Sequence, residues 1–369
     1  MGKSKLNITL VVGARPNFVK IAPLLRAIEK YNGRTSGAQK INWRLIHTGQ
    51  HFDDTMSAFF FEQLQIPPPH INLNAGGGTQ AQQTAKIMIA FEKELVEHPS
   101  DMVLVVGDVN STMACSIVSK KAGCQVAHVE AGIRSGDMAM PEEINRIVTD
   151  SIADLFFTTT HNAGRHLGNA GVADEKIHFV GNTMIDSLLY HQEDFFAPPI
   201  WEDLNLNQQS YWVITLHRPS NVDEQQQFTE ILQQIETSCR PDPVIFPAHP
   251  RTAKQLKSLK AKHNHLHIID PLSYLEFNYL VSNARGVITD SGGITEECTL
   301  LNVPCLTLRD STERPETVEL GTNELVGRNP KRLEIYVEKI KNNRWKEGSR
   351  PENWDGHTAE RIVKILVNG

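Results

Sequence analysis

Long apolar runs are missing from this sequence. Its longest apolar stretches, among them residues 8–12 and 102–106, have about a quarter of the length needed to cross a bilayer. The first of these runs breaks at residues 13–16, whereas a secretory signal peptide has a long apolar centre. We therefore expect no membrane association and no secretion, and we predict a cytoplasmic protein.

A strong excess of one charge is also missing. The 37 basic and 43 acidic side chains give a formal net charge of −6, which provides no overall field for nucleic acid or for an anionic membrane. We therefore predict no nucleic-acid partner. Local basic residues remain able to bind a small anionic ligand.

Cysteine is rare, and its five copies are scattered with no C-x-x-C spacing. Such a set is typical of a reducing compartment and favours neither a disulfide framework nor a zinc site. We predict that these thiols fill the hydrophobic core and that the protein binds no metal. They are Cys115, Cys124, Cys239, Cys298 and Cys305.

The length and the apolar pattern predict the fold class. A chain of 369 residues exceeds what one hydrophobic core usually organises, so we expect two domains. Short apolar runs alternate with helix-like stretches over residues 6–180, and a second such series covers residues 212–307. The runs lack polar alternation, as strands do when helices cover both faces of a parallel sheet. The predicted fold is therefore α/β, with two Rossmann-like doubly wound domains facing a cleft.

The boundary between these domains is predicted from composition. Residues 186–209 are rich in proline, glutamine, asparagine and acidic residues, which is typical of an interdomain linker. The predicted domains are residues 1–185 and residues 210–369, and the last helix is expected to pack back on the first domain. Ligands favour the crevice at the carboxyl ends of parallel strands, so the site is expected in the cleft.

A glycine turn with two cations follows the first predicted strand. Gly13 lets the chain turn, and Pro16 suits the first position of a helix. Arg15 and Lys20 lie near the positive N-terminus of this helix, which suits a phosphate or a carboxylate. A tight turn with solvated cations explains these residues equally well. The sequence contains neither G-x-G-x-x-G nor the P-loop pattern, so dinucleotide and P-loop sites lack their main support.

Acidic side chains gather at one edge of the first predicted sheet. Asp108 and Glu130 end neighbouring strands, and carboxylates gathered in this way can separate into an acid and a base. Glu142 and Glu143 start a helix, and the i,i+4 spacing of Glu142 to Arg146 predicts an ion pair. Each acid taken alone is more simply a helix cap, a partner of the helix dipole or half of a structural salt bridge. Together they favour proton-transfer chemistry.

Two histidines end strands of the second predicted domain. His217 follows the first of these strands and is the best-placed imidazole for general acid catalysis or phosphate contact. His249 closes the next strand in the same way. A lone loop histidine is more often a packing or surface residue, so neither histidine establishes a function by itself.

A glycine-rich helix start follows a later strand of the second domain. Ser291, Gly292 and Gly293 expose backbone N–H groups at a helix N-terminus, which suits a diphosphate. A glutamate one turn into this helix, where Glu296 and Glu297 lie, could accept hydrogen bonds from ribose hydroxyls. The alternative to a diphosphate site is a structural role, in which the glycines only allow the helix to begin at this point.

Eight segments taken together resemble the non-hydrolysing UDP-N-acetylglucosamine 2-epimerases, which have a two-domain glycosyltransferase-B-like fold. Each segment is modest alone, but the eight run in family order across nearly the whole chain. They are Gly-Ala-Arg-Pro-Asn-Phe-Val-Lys at 13–20, Thr-Gly-Gln-His at 48–51, Val-Gly-Asp-Val at 106–109, Val-Glu-Ala-Gly-Ile-Arg at 129–134, Met-Pro-Glu-Glu-Ile-Asn-Arg at 140–146, Thr-Leu-His-Arg-Pro at 215–219, Asp-Ser-Gly-Gly-Ile-Thr-Glu-Glu at 290–297 and Glu-Arg-Pro-Glu at 313–316.

This resemblance implies inversion at C2 of a UDP-linked 2-acetamido sugar, from UDP-N-acetylglucosamine to UDP-N-acetylmannosamine. In the family's mechanism a base removes the C2 proton while UDP leaves from C1. UDP then adds back to the resulting 2-acetamidoglucal, with protonation on the opposite face. The resemblance implies no cofactor, a UDP-sugar as the binding partner, and a homodimer.

The resemblance also assigns roles to individual residues. Asp108, Glu130 and Glu142 match the family's essential acids, Arg146 matches the partner of Glu142, and Glu297 matches the ribose-binding glutamate. The expected catalytic residues are Asp108, Glu130, Glu142, His217 and Lys20. The residues expected to bind substrate or UDP are Arg15, Arg146, His249, Ser291, Gly292, Gly293, Glu297 and Arg314.

Two departures from the family pattern bear on substrate and regulation. Phe52 and Asp53 follow His51, where members with a second, allosteric substrate site typically have arginine first, so the pattern does not support allosteric activation. Residues 109–112 and 135–140 also differ and are compatible with branches acting on a UDP-2,3-diacetamido uronate. A glycosyltransferase of the same fold, a hydrolysing epimerase and a non-catalytic nucleotide-sugar binder are the further alternatives.

Overall fold

The computed structural model of the protein describes residues 5–35, 37–50, 60–248, 252 and 264–368. The chain divides into two compact units. Unit 1 comprises Met1–Tyr190 and Glu352–Gly369, and unit 2 comprises His191–Pro351. In the described residues, unit 1 contains a seven-stranded sheet and unit 2 a six-stranded sheet, and all strands pair in parallel. The prediction of two doubly wound α/β units is confirmed.

The sheet of unit 1 has the strand order β3-β2-β1-β4-β5-β6-β7. All five residues of its central strand β4 are buried, because helices cover both faces of a parallel sheet. The strands are β1 Leu6–Val12, β2 Ile41–His47, β3 Ile71–Asn72, β4 Met102–Val106, β5 Gln125–Val129, β6 Leu155–Thr158 and β7 Ile177–Phe179. The helices are α1 Arg15–Arg34, α2 Gln80–Glu97, α3 Asn110–Lys121, α4 Pro141–Ile152, α5 His161–Asn169 and α6 Thr183–His191.

The sheet of unit 2 has the strand order β10-β9-β8-β11-β12-β13. Its core is again aliphatic and aromatic, with Trp212 and Phe246 fully buried on neighbouring strands. The strands are β8 Trp212–Thr215, β9 Val244–Pro247, β10 Leu266–Ile269, β11 Gly286–Thr289, β12 Cys305–Thr307 and β13 Asn323–Leu325. The helices are α7 Ile200–Asp203, α8 Pro219–Val222, α9 Gln225–Cys239, α10 Tyr274–Asn283, α11 Gly292–Leu301, α12 Pro315–Glu319 and α13 Pro330–Lys341, and the chain returns to unit 1 for α14 Thr358–Asn368.

The strand order places the turn motifs at topological switch points. In unit 1 the order reverses between β1 and β4, and in unit 2 it reverses between β8 and β11. The turn at residues 13–16 follows β1, and Asp108 lies just beyond β4. His217 follows β8, and Ser291 follows β11. Ligands of open parallel sheets bind at such switch points, so each sheet presents its candidate residues where the fold favours binding.

The bounds of the compact units differ from those expected for the domains. The stretch 186–209, expected to be a linker, includes the end of α6, a 3₁₀ turn at Gln192–Asp194, and α7. The carboxylate of Asp186 in α6 accepts hydrogen bonds from the backbone N–H groups of Thr358, at 3.2 Å, and Ala359, at 2.8 Å. This side chain caps the start of α14 and so ties α6 and the last helix together within unit 1.

The cysteines and the apolar helices agree with the sequence. All five cysteines are buried free thiols, as predicted. None of the helices in the described part of the chain is long and apolar enough to cross a membrane.

The buried cap Asp186 gives a testable pH dependence. Burial raises the pKa of Asp186 to about 6, although the backbone donors of α14 oppose this shift. The unfolded chain has an aspartate pKa of about 3.9, so the folded state binds the proton more tightly. The protonated Asp186 therefore stabilises the folded state fully below about pH 4, and this contribution is lost as the pH rises through 6.

We therefore expect the free energy of unfolding of the wild type, relative to that of Asp186→Asn, to fall by about 2 kcal/mol between pH 4 and 7. Hydrogen exchange of α14 peptides, followed by mass spectrometry across this range, measures the change. Parallel pH profiles for the two proteins would contradict the assignment.

Candidate active site

The turn after β1 is held to the end of β4 by one asparagine. The side-chain oxygen of Asn17 accepts hydrogen bonds from the backbone N–H groups of Gly13, at 3.1 Å, and Ala14, at 3.0 Å. Its Nδ2 donates to the carbonyl of Val106 at 3.0 Å. A Cβ at position 13 would lie 2.0 Å from Ser111 Oγ, so only glycine fits there. The first predicted motif is therefore fixed at the switch point of unit 1.

Lys20 and Glu130 form a buried ion pair. Lys20 Nζ lies 2.7 Å from Glu130 Oε2, and less than a tenth of either side chain is exposed. Lys20 comes from the second turn of α1, and Glu130 directly follows β5 in a left-handed conformation with φ of 69°. Removing one partner of such a pair leaves a buried charge and typically costs about 3–5 kcal/mol. The structure thus brings together two of the predicted catalytic residues.

Arg146 connects Asp108 to a second, buried carboxylate. Arg146 Nη2 lies 2.5 Å from Asp108 Oδ2, and its Nη1 lies 2.8 Å from Glu143 Oε2. Glu143 also accepts hydrogen bonds from the backbone N–H groups of Ser135 and Gly136. Burial opposes ionisation of Glu143, but these donors and the Arg146 guanidinium lower its pKa overall. Because 28% of the Asp108 side chain is exposed while Arg146 is buried, Asp108 is the member of this network that a ligand can reach.

Two further predicted site residues of unit 1, Glu142 and Arg15, lie near the starts of helices. Glu142 lies on the first turn of α4 and is exposed, and its ion pair with Arg146 stays a prediction. The guanidinium carbon of Arg15 lies 4.5 Å from the centroid of the Phe60 ring. Burial lowers the pKa of Arg15, which keeps a partly desolvated cation at the start of α1.

Amide side chains that the sequence analysis missed surround the Asp108 turn. Asn145 Nδ2 donates to the carbonyl of Asp108 at 2.9 Å and to Asn110 Oδ1 at 3.2 Å. Asn110 Nδ2 in turn donates to the side-chain oxygens of Gln80 and Gln83. Asn145 lies one residue before Arg146 on α4. Its place in the Glu-Ile-Asn-Arg segment is the feature of the sequence that could have marked it as a candidate site residue.

In unit 2, Asp290 organises the turn that carries His217. The Asp290 carboxylate accepts hydrogen bonds from the backbone N–H groups of His217 and Arg218 and from Asn221 Nδ2. It also lies 2.9 Å from His217 Nδ1. Burial opposes its ionisation, but His217, Asn221 and the Arg218 amide lower the pKa of Asp290 overall. Because 58% of the His217 side chain is exposed and Nδ1 contacts Asp290, Nε2 is the ring nitrogen better placed for contact with a ligand.

The Ser291–Gly293 turn begins α11 beside β11. Ser291 N–H donates to Thr289 Oγ1 at 3.0 Å, which anchors the turn to the strand. A Cβ at Gly292 would lie 2.8 Å from Glu313 Oε1, so glycine lets the helix start pack against this carboxylate. The backbone N–H groups of the first turn of α11 and the helix dipole favour an anion at this point.

Two buried glutamates on α11 have different environments. Burial raises the pKa of Glu297 to about 7, although hydrogen bonds with Asn278 and Tyr274 oppose the shift. Glu296 is fully buried, and its Oε1 lies 2.7 Å from Arg314 Nε. Arg314 is thus fixed by Glu296, whereas Glu297 is a carboxyl group close to its point of ionisation at neutral pH.

Two further expectations concern His249 and metal binding. His249 lies outside the described residues. Among the residues that are described, Glu94, Glu97 and His98 at the end of α2 could together offer three metal ligands. Glu94 already pairs with Arg44 Nε at 2.5 Å, and none of the three is a predicted site residue.

The two units therefore present complementary chemistry. Unit 1 gathers Asp108 and Glu130 with their cationic partners at the ends of β4 and β5, an arrangement suited to moving protons near a developing negative charge. Unit 2 offers the α11 helix start and an oriented imidazole, His217, which suit an anionic ligand.

Comparison with known proteins extends these observations. The family model described as UDP-N-acetylglucosamine 2-epimerase matches residues 34–367. The UDP-N-acetylglucosamine 2-epimerase of Methanocaldococcus jannaschii is 41% identical, over 99% of this chain and 100% of that protein. A crystal structure of the M. jannaschii enzyme in complex with UDP-GlcNAc and UDP has a TM-score of 0.87, with 99% of this chain and 100% of that chain covered.

A second relative and a distant structure complete the comparison. The UDP-2,3-diacetamido-2,3-dideoxy-D-glucuronate 2-epimerase of Pseudomonas aeruginosa is 39% identical, over 87% of this chain and 88% of that protein. The glycosyltransferase of kitacinnamycin is 11% identical with a TM-score of 0.58 over 99% of both chains, which shows a common fold alone. From the match of the family model and the identity over full-length relatives, we conclude that this chain belongs to the UDP-N-acetylglucosamine 2-epimerase family.

Proposed function

We propose that this protein is an isomerase that interconverts UDP-N-acetylglucosamine and UDP-N-acetylmannosamine without net hydrolysis. In the proposed reaction, the C2 proton is removed as the C1–O bond to UDP breaks, which gives a 2-acetamidoglucal and UDP. UDP then adds back to C1, and a proton is delivered to the opposite face of C2. Membership of the family and the Asp108–Arg146 pair support this proposal.

The acid and base work is assigned to unit 1. Inversion at C2 requires proton removal on one face and proton delivery on the other, so at least two ionisable groups must act. Asp108, Glu130 and Glu142 are proposed for these steps. Lys20 pairs with Glu130 and Arg146 pairs with Asp108, so each of these two acids has a cation beside it. The observation that carries the proposal is Asp108, a partly exposed carboxylate 2.5 Å from a buried guanidinium at the switch point.

Binding of UDP is assigned to unit 2. The Ser291–Gly293 turn is proposed to bind the diphosphate through the N–H groups of Gly292 and Gly293 and the hydroxyl of Ser291, whose own N–H is used by Thr289. Departure of the diphosphate requires this stabilisation of negative charge. Glu297 is proposed to accept hydrogen bonds from the ribose hydroxyls. His217 is proposed to contact the leaving group through Nε2.

Further cations complete the proposed UDP contacts. Arg15 of unit 1 is proposed to contact the nucleotide, and Arg314 of unit 2 is proposed to do so while Glu296 fixes its guanidinium. His249 stays a predicted contact.

A second candidate substrate is a UDP-2,3-diacetamido uronate. The 39% identity to the P. aeruginosa enzyme that bears this name favours it. The chemistry at C1 and C2 is the same for both sugars, so the proposed roles of the residues do not depend on the choice. We further propose that the protein acts as a homodimer in the cytoplasm, and sedimentation velocity of the purified protein tests the dimer.

The proposed reaction is tested directly in D₂O. With UDP-N-acetylglucosamine as substrate, we expect the C2 proton signal to disappear and a C2-deuterated UDP-manno product to appear in the ¹H NMR spectrum. The diacetamido uronate is assayed in parallel. If neither sugar exchanges its C2 proton, the epimerase proposal is wrong.

The proposed acids are tested by substitution with their amides. Asp108→Asn and Glu142→Gln remove the titratable proton with little change of shape, so we expect turnover to fall at least about 100-fold. UDP affinity, measured by calorimetry, should stay within about tenfold of the wild type, which is about 1.4 kcal/mol. Asp174→Asn, an exposed acid in another part of unit 1, serves as the control. Full turnover in either site variant would remove that residue from the acid/base role.

The raised pKa of Glu297 predicts a pH dependence of UDP binding. Below about pH 7 this carboxyl group is largely protonated and is a poorer acceptor for the ribose hydroxyls. We expect UDP affinity to rise up to about tenfold between pH 6 and 8 in the wild type. Glu297→Gln should remove this part of the pH dependence and leave only the titration of UDP itself. Equal pH profiles for the two proteins would contradict the assignment.

A further inference from the structure

His128 on β5 is a buried histidine for which the proposed reaction supplies no role. Its side chain is fully buried, directly behind the edge of the sheet that carries the acids. His128 Nε2 lies 2.9 Å from the carbonyl oxygen of Gly107, and Nδ1 lies 2.7 Å from Asp150 Oδ1. Since a carbonyl oxygen only accepts hydrogen bonds, Nε2 must carry a proton and donate it to Gly107.

Asp150 on α4 holds the other side of this ring. Its Oδ2 accepts hydrogen bonds from the Gly132 N–H at 3.1 Å and from Arg134 Nη1 at 2.6 Å. Burial opposes ionisation, but His128 and Arg134 lower the pKa of Asp150 overall. The Asp150 carboxylate, itself held by these two donors, thus contacts Nδ1 of the ring at 2.7 Å. The ring is therefore oriented by two acceptors.

The Gly107 peptide that receives this hydrogen bond carries Asp108. Gly107 is left-handed with φ of 69°, and its N–H donates to the carbonyl of Val129 at 3.0 Å. Its own carbonyl is fixed by His128, and the carbonyl of Asp108 is fixed by Asn145. Three successive backbone groups before and at Asp108 are therefore held by hydrogen bonds, and these bonds orient the Asp108 carboxylate. The bond from His128 is the one that comes from the interior of the sheet.

We propose that His128 is a positioning residue for proton transfer, which acts by fixing the Gly107 carbonyl and thereby the carboxylate of Asp108. This inference rests on the proposed function of Asp108. A misplacement of a reacting group by about 1 Å can lower a rate about 100-fold while substrate binding is largely kept. Asp150 has a supporting role, because it holds the imidazole so that Nε2 faces Gly107.

Two amide substitutions separate the two hydrogen bonds of the ring. His128→Gln places an amide donor where Nε2 lies and keeps the bond to Gly107, whereas His128→Asn places one where Nδ1 lies and keeps only the bond to Asp150. We expect kcat of His128→Asn to fall about 100-fold, and KM and the Kd for UDP to stay within about threefold. We expect kcat of His128→Gln to stay within about tenfold of the wild type. His161→Asn, at an exposed histidine of the same unit, is the matched control.

The results discriminate a positioning role from a purely structural one. Equal losses of kcat in the two His128 variants, or full activity of His128→Asn, would overturn the proposal. If both variants fail to fold, the wild type labelled with ¹⁵N-histidine provides the test, because its spectrum must contain a buried imidazole with a slowly exchanging proton on Nε2, the nitrogen that donates to Gly107. A spectrum without such a ring also overturns the proposal. Failure of the epimerase proposal is recognised separately, since the wild type would then not exchange the C2 proton.

Discussion

The organisation of unit 1 depends on the neutralisation of carboxylates at the carboxyl edge of its parallel sheet. Asp108 and Glu130 follow β4 and β5, and like charges gathered at one edge of a sheet repel each other. Lys20 from α1 and Arg146 from α4 each place a cation within 2.7 Å of one of these acids. The helices α1 and α4 therefore have two functions in this unit. They cover the sheet, and they also carry the cations that pair with the acids.

A carboxylate surrounded by donors also organises unit 2. There the buried carboxylate of Asp290 accepts hydrogen bonds from the backbone N–H groups of the turn after β8, and it also contacts the ring of His217. The backbone N–H groups at the start of α11 are proposed as anion-binding groups beside it. In the proposed reaction the paired carboxylates of unit 1 exchange protons, and the helix start of unit 2 binds the anion. This division corresponds to what the proposed elimination requires, namely a base for C2 and stabilisation of a departing diphosphate.

Much of the fold was predictable because buried parallel strands are continuous apolar runs, as in β1 and β4. The edge strands β3 and β13 were missed, since Ile71–Asn72 and Asn323–Leu325 are too short and too polar to give a pattern. Asp108, Glu130 and His217 were recognisable from their positions at strand ends. Glu143 was named but not selected as a site residue, because adjacent glutamates on a helix cannot be ranked without knowing which one faces the interior. Asp150 was not recognised, because it lies within a helix and not at the end of a strand. His128 was not predicted as a positioning residue for a related reason, because a histidine within an apolar strand resembles any other core residue.

The central claim is that the sheet-edge acids remove and return the C2 proton while UDP leaves and adds back. Positional isotope exchange tests this claim most directly. UDP-N-acetylglucosamine carrying ¹⁸O in the bridge between C1 and the β-phosphorus is incubated with the enzyme, and the label is located by ³¹P NMR. If the C1–O bond breaks during turnover, the ¹⁸O will spread into the non-bridging positions of the β-phosphate as epimerisation proceeds. Epimerisation with the label retained entirely in the bridge would contradict the elimination of UDP.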